Sequence, residues 1–158
     1  MKRILPLTKL QKLLEILSLI IIISIIIYLC TSWSTLPDLI PSHYNAIGEP
    51  DSWSSKGTLL ILPIISVIIY FLLTGLLFIS PEMINSPIEV TKENRLLIQK
   101  LSRDLTCFLK LIIISDFSYM TICTIKGKPL GQFFLPVFIF LTILPVTIYI
   151  IKIIKIKK

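Results

Sequence analysis

The stretch LPDLIPSHYNAIGEPDSWSSK, residues 36–56, decides how this chain is read. It is polar and turn-rich, and it lies between two long apolar runs. Pro37, Pro41 and Pro50 fix φ and push the preceding residue toward extended conformations. Neither a helix nor a ladder strand is expected to run through them. Gly48 supplies a positive φ without steric cost, which suits a tight turn, and Asn45 is placed to form an Asx turn. Trp33, Tyr44 and Trp53 add rigid apolar area suited to a membrane interface. The expectation is an ordered loop that joins two membrane helices.

On either side the chain is hydrocarbon-like. Residues 13–30 are apolar except for Ser18 and Ser24 and for Glu15 near the start, and Lys2, Arg3, Lys9 and Lys12 precede them. A secretory signal has the same order, but its apolar region is only about 7–15 residues and ends at a small-residue cleavage site. This run is longer and has no such site, so a retained first helix is expected. Residues 59–79 form a second run, long enough at about 1.5 Å per residue to cross a hydrocarbon core of about 30 Å. Asp51, Ser52, Ser54 and Ser55 offer oxygens to cap its start, and Pro63 falls early in the helix, where a missing N–H is tolerated.

Residues 80–102 are polar, with Thr91 as a candidate N-cap. Leu97, Leu101, Leu105 and Phe108 recur at helical spacing, so a third helix is expected to begin in the interface and to continue as a span over 105–125. Lys126-Gly127-Lys128-Pro129 reads as a tight turn. A fourth span follows over 131–151, with Pro136 and Pro145 inside it. Of the sixteen Lys and Arg, twelve then fall on the side of the termini and three (Lys56, Lys126, Lys128) in the opposite loops. The positive-inside rule places both termini in the cytosol and residues 36–56 outside.

Composition agrees. The 158 residues are 54% hydrophobic and 16% charged, with mean hydropathy +0.89. A soluble domain is nearer 25% charged. The net charge of +7 reads as flanking orientation signals and a lipid-facing basic tail, so nucleic acid is not an expected partner. Cys30, Cys107 and Cys123 lie in or beside apolar runs without CxxC or Cys/His pairing, which argues against zinc and leaves them as small hydrophobes. The fold class expected is all-α: four transmembrane helices in one domain, 1–158, with a helix-loop-helix over 10–80 and a second helical pair over 91–158.

The spacing of Leu36-Pro37, Ile40-Pro41, His43, Asn45, Gly48, Asp51, Trp53 and Ser55-Lys56, followed by a helix with Pro63 near its start, resembles a bacterial and archaeal membrane domain of unknown function. That domain also forms the N-terminal part of SdpI-type immunity proteins, which protect a cell against a killing-factor peptide. The resemblance covers roughly residues 10–80. Tyr44 stands where another aromatic is more usual, and Ser54 where Gly is common. The chain is also expected to lack the further C-terminal helices of full immunity proteins. The resemblance implies the plasma membrane of a prokaryote, with a membrane-active peptide or a regulatory protein as partner beside the lipid bilayer.

Three groups of residues are candidates for function. Pro37, Pro41, His43, Asn45, Gly48, Asp51 and Lys56 form the outer motif. Within it His43 with Asp38, Glu49 and Asp51 reads either as a metal or acid–base site or, more readily, as turn and backbone chemistry. Asp116 falls near mid-span, where a carboxylate is expensive unless protonated or partnered. It reads either as functional or as a neutral acid hydrogen-bonded between helices, with Ser115 and Tyr119 as candidate partners. Lys110 is expected to snorkel to the inner interface. No GxSxG, HExxH, P-loop or Cys/His arrangement occurs, so no enzyme, cofactor or metal is expected. The function expected is non-enzymatic binding of a peptide or envelope ligand through the outer loop, for immunity or signalling. The alternative is a small transporter or transporter subunit built on Asp116.

Overall fold

The computed structural model describes residues 5–80, 83 and 86–156. Lys2, Arg3, Pro81, Glu82, Lys157 and Lys158 lie outside the described residues. Four helices run through it: α1 (Lys9–Ser32), α2 (Ile61–Leu76), α3 (Arg95–Ile125) and α4 (Phe134–Ile156). Each, with the 3₁₀ turns at Trp33–Thr35 and Lys56–Leu60 included, is long and apolar enough to cross a membrane.

A capping box starts α1. The Gln11 backbone N–H donates to Thr8 Oγ1 (3.2 Å) and the Thr8 N–H to Gln11 Oε1 (3.0 Å), satisfying two donors that a helix start leaves open. Its buried residues are Gln11, Leu14, Ser18, Ile22, Ile25 and Leu29, spaced by threes and fours. α2 ends at Leu76, short of the expected 79, because i→i+3 bonds from Leu77 to Thr74 and from Phe78 to Gly75 tighten its last turn. At the far end of α3, the Lys128 N–H bonds to Cys123 O (2.9 Å) and the Gly127 N–H to Thr124 O (3.1 Å), with Gly127 at φ 58. This is a Schellman motif with proline directly after it. α4 begins at Phe134, three residues later than expected, because Gly131 at φ 90 breaks the helix there.

α3 packs against α1, α2 and α4. Its buried residues include Gln99, Arg103, Cys107, Lys110, Ile114, Ser118 and Thr121, a stripe of mostly polar side chains. Of the helically spaced Leu97, Leu101, Leu105 and Phe108, Leu101 is buried, whereas Leu97 and Phe108 point outward. Large apolar side chains also cover the outside of the other helices, for example Ile16, Ile20 and Ile27 on α1 and Phe71 and Leu72 on α2. This reverses the layout of a soluble domain, where Lys and Arg are almost never fully buried.

The structure is mostly helical, but the expectation that no ladder strand runs through residues 36–56 is corrected. Residues 36–56 carry an antiparallel hairpin, β1 (Leu39–Tyr44) and β2 (Pro50–Ser55), with Leu39 opposite Ser55 and Tyr44 opposite Pro50. The prolines do not exclude it, for positional reasons. Pro50 is the first residue of β2, and the register becomes irregular directly after Pro41, so each missing N–H falls where the two-stranded ladder can tolerate it. With Ser52, Ser54 and Asp51 inside β2, they do not cap α2, whose N-cap Leu60 has no side-chain bond. Thr91 likewise precedes the true N-cap of α3, Asn94. The two exchange bonds, Thr91 N to Asn94 Oδ1 (2.8 Å) and Asn94 N to Thr91 Oγ1 (3.4 Å).

Candidate functional site

The hairpin caps one end of the bundle. Its turn is built as the residue types require: Asn45 Oδ1 accepts from the N–H groups of Ile47 (3.1 Å) and Glu49 (3.0 Å), and Gly48 adopts φ 78. The Leu130 N–H donates to Gly48 O (2.7 Å), which joins this turn to the α3–α4 connection. Beneath the hairpin Ile40 packs with Leu29, Leu36 and Leu59, flanked by Trp33 and Ile125. Burying Ile40 to 1% exposure contributes about 1.5–3 kcal/mol to holding the cap down. Tyr44 OH and Thr124 Oγ1 share a 3.0 Å hydrogen bond, a second polar link to α3. Burial pushes the Tyr44 phenol above its ordinary value of 10.0, against the opposing effect of that hydrogen bond.

A cavity of about 550 Å³ lies between the hairpin and the ends of α2, α3 and α4. Every residue from Ile40 to Ala46 lines it, with Met120 and Phe134 among those opposite. Five of these seven residues belong to β1 and two to the turn after it, so the cavity runs along β1 into the hairpin turn. The volume falls in the range of about 300–1,000 Å³ typical of ligand pockets.

The outer motif divides between this cavity and its support. Pro41, His43 and Asn45 line the cavity. His43 Nδ1 lies 2.6 Å from Asp51 Oδ1, with both side chains substantially exposed. Lys56 Nζ is 3.7 Å from Asp38, and the Lys56 N–H donates to Asp38 O (3.0 Å), closing the base of the hairpin. Pro37 is exposed on the way into β1, and Gly48 is buried against Gly131. Among the described residues no three of His, Cys, Asp and Glu converge on a common point; Asp38 faces Lys56, and Asp51 alone meets His43. Cys30, Cys107 and Cys123 are free thiols.

Lys110 does not snorkel. It is fully buried where α1, α2 and α3 meet, with Nζ 2.5 Å from Glu15 Oε1, 2.7 Å from Thr74 Oγ1 and 4.7 Å from the centroid of the Tyr70 ring. Thr74 Oγ1 donates to Glu15 Oε2 (3.1 Å) and Cys107 Sγ to Oε1 (3.4 Å). The physical reason is pairing: a buried ammonium with a carboxylate, a hydroxyl and an aromatic face has its charge compensated in place. One turn nearer the α1 start, Gln11 Nε2 donates to Asp104 Oδ1 (2.7 Å). Sequence reasoning passed over Glu15 and Gln11. The available signal was their i, i+4 spacing on one helix, with Asp104 and Lys110 as polar residues of the third helix. Asp116 lies apart from this network. Ser115 Oγ donates to Leu111 O (2.7 Å) and Tyr119 OH to Leu130 O (2.8 Å), so neither makes the hydrogen bond to Asp116 that the sequence allowed.

No solved structure matches this chain. An uncharacterized protein of Archaeoglobus fulgidus is 39% identical over 89 residues, 52% of this chain and 49% of that protein. The chain thus spans about half the length of this curated relative. Residues 19–67, from the middle of α1 through the hairpin into α2, match the family described as Domain of unknown function (DUF1648).

Proposed function

We propose that this is a multi-pass protein of a prokaryotic plasma membrane, with both termini cytosolic. Its hairpin cap binds a membrane-active peptide or another envelope ligand without catalysis, for immunity or signalling. The membrane reading is supported by the inverted layout. Isoleucine and leucine cover the outside, while Gln11, Gln99, Arg103 and Lys110 are buried. Water would penalise that surface, whereas hydrocarbon does not, and polar groups inside a bundle then serve as links between helices. The orientation is supported by Lys and Arg, which concentrate at the end opposite the hairpin.

The binding reading rests on one observation, the cavity that runs along β1, a strand whose other edge carries no partner strand among the described residues. An extended peptide can pair with such an edge through backbone hydrogen bonds while its side chains enter the adjoining cavity. Recognition of that kind needs no catalytic group. The resemblance to SdpI-type immunity proteins points to the same ligand class. The test is survival of a sensitive host challenged with membrane-active peptides. Wild-type protein should raise survival. The His43→Ala, Asp51→Ala double variant should accumulate normally, because both side chains lie off the packed core, and should lose the protection. Failure of the wild-type protein to raise survival would refute the reading, and undiminished protection by the variant would remove His43 and Asp51 from the site.

A further inference from the structure

Asp116 lies apart from the polar groups that link α1, α2 and α3 around Glu15 and Lys110. Its Oδ2 is buried, and among the described residues nothing donates a hydrogen bond to it. It lines a wide, open cleft of about 520 Å³ between α3 and α4, with Tyr119 and Phe133 exposed along it. Leu130 and Phe134 line both cavities and so form the wall between this one and the cavity under the hairpin. Tyr119, Phe133 and Phe134 supply aromatic lining here, and the Tyr119 and Phe134 rings stack with centroids 5.5 Å apart. Asp116 precedes Tyr119 by three residues, which puts the acid and the stack on one face of α3. Asp116 carries the sole charge among the lining residues.

A carboxylate oxygen in apolar surroundings has to be compensated, by a proton or by a positive partner. Aromatic faces carry partial negative charge and favour the same sign of ligand. Hard metal ions are poor candidates, since calcium and magnesium require six or more oxygen ligands, and one carboxylate among aromatic rings does not provide them. The cleft also reaches Gly131 and Gln132 at the hairpin end of the bundle, so a ligand can enter from that end.

We propose that the cleft between α3 and α4 binds an amphiphilic organic monocation, a quaternary ammonium or phosphonium bearing apolar substituents. Its charge rests at Asp116 and its substituents lie against Tyr119, Phe133 and Phe134. This site is independent of the hairpin cavity, and the failure of one reading leaves the other standing.

The test is saturable binding of radiolabelled tetraphenylphosphonium to the full chain purified in detergent. Asp116→Asn should weaken binding by about tenfold or more, as loss of a desolvated charge partner does. Phe134→Leu should weaken it by about threefold through loss of the aromatic face. His43→Ala should leave it unchanged. Affinity of Asp116→Asn within about twofold of wild type would overturn the proposal. So would non-saturable binding by the wild-type protein, which would leave a proton alone to neutralise Asp116. Should Asp116→Asn not fold, wild-type protein decides the matter. Displacement of the probe by tetrapropylammonium and not by neutral triphenylphosphine oxide supports the site, and equal displacement by both overturns it.

Discussion

Replacing Gly48 with alanine should undock the hairpin, and the size of the effect follows from two separate contributions. Gly48 has φ 78, where a residue with a Cβ is disfavoured by about 1–2 kcal/mol. The added Cβ would also lie 2.6 Å from Gly131 O and 2.8 Å from Gly131 N. Both are backbone atoms, so no flexible side chain can move aside. The turn must retreat, and the 2.7 Å bond from the Leu130 N–H to Gly48 O is lost, a further contribution of about 1 kcal/mol. With some loss of neighbouring packing, the docked cap should be destabilised by about 2–4 kcal/mol, or about 30- to 700-fold in the population of the open form. Limited proteolysis of detergent-purified protein reads that population directly when opening is fast relative to cleavage. The variant should therefore be cut much faster than wild type between residues 36 and 56. Gly127→Ala is the control. Gly127 also has positive φ, at 58, but an added Cβ there would meet nothing within 4 Å. If Gly48→Ala is cut no faster than Gly127→Ala, the close approach to Gly131 does not hold the cap.

Lys110→Ala should destabilise the bundle by about 3–5 kcal/mol by stranding Glu15 in the core, whereas the Glu15→Leu, Lys110→Met double variant should recover most of that loss. Melting of both variants in detergent checks this, and equal melting would mean that Glu15 reaches water without its partner. For Tyr44, burial raises the folded-state pKa, so its stabilising effect is complete below about pH 10 and is lost as pH rises through the higher folded value. Hairpin protection from protease should accordingly fall in that alkaline range for wild type and stay flat there for Tyr44→Phe, which gives up the Thr124 hydrogen bond at every pH. Reporter fusions at Gly48 and after Lys158 should report opposite compartments; the same compartment for both would refute the four-span topology.

The sequence by itself determined the number and approximate length of the apolar helices, because those follow from the extent of the apolar runs. It also determined the Asn45–Gly48 turn and the Gly127 helix stop, since local backbone chemistry demands those residue types wherever they fold. The tertiary structure alone decided the remainder. Whether Pro41 permits a strand depends on which side of the ladder its missing N–H faces, and that is a matter of register with β2. Whether Lys110 reaches an interface or stays buried depends on Glu15, 95 residues away in sequence and on a different helix. The cavity along β1 and the cleft at Asp116 share Phe134 as a wall, and both exist only once α4 is placed against α3. Periodicity shows that a helix has a face but not which neighbour covers it. In a chain this rich in Ile and Leu, hydrophobicity no longer separates inside from outside, so the few polar residues and their distant partners set the packing.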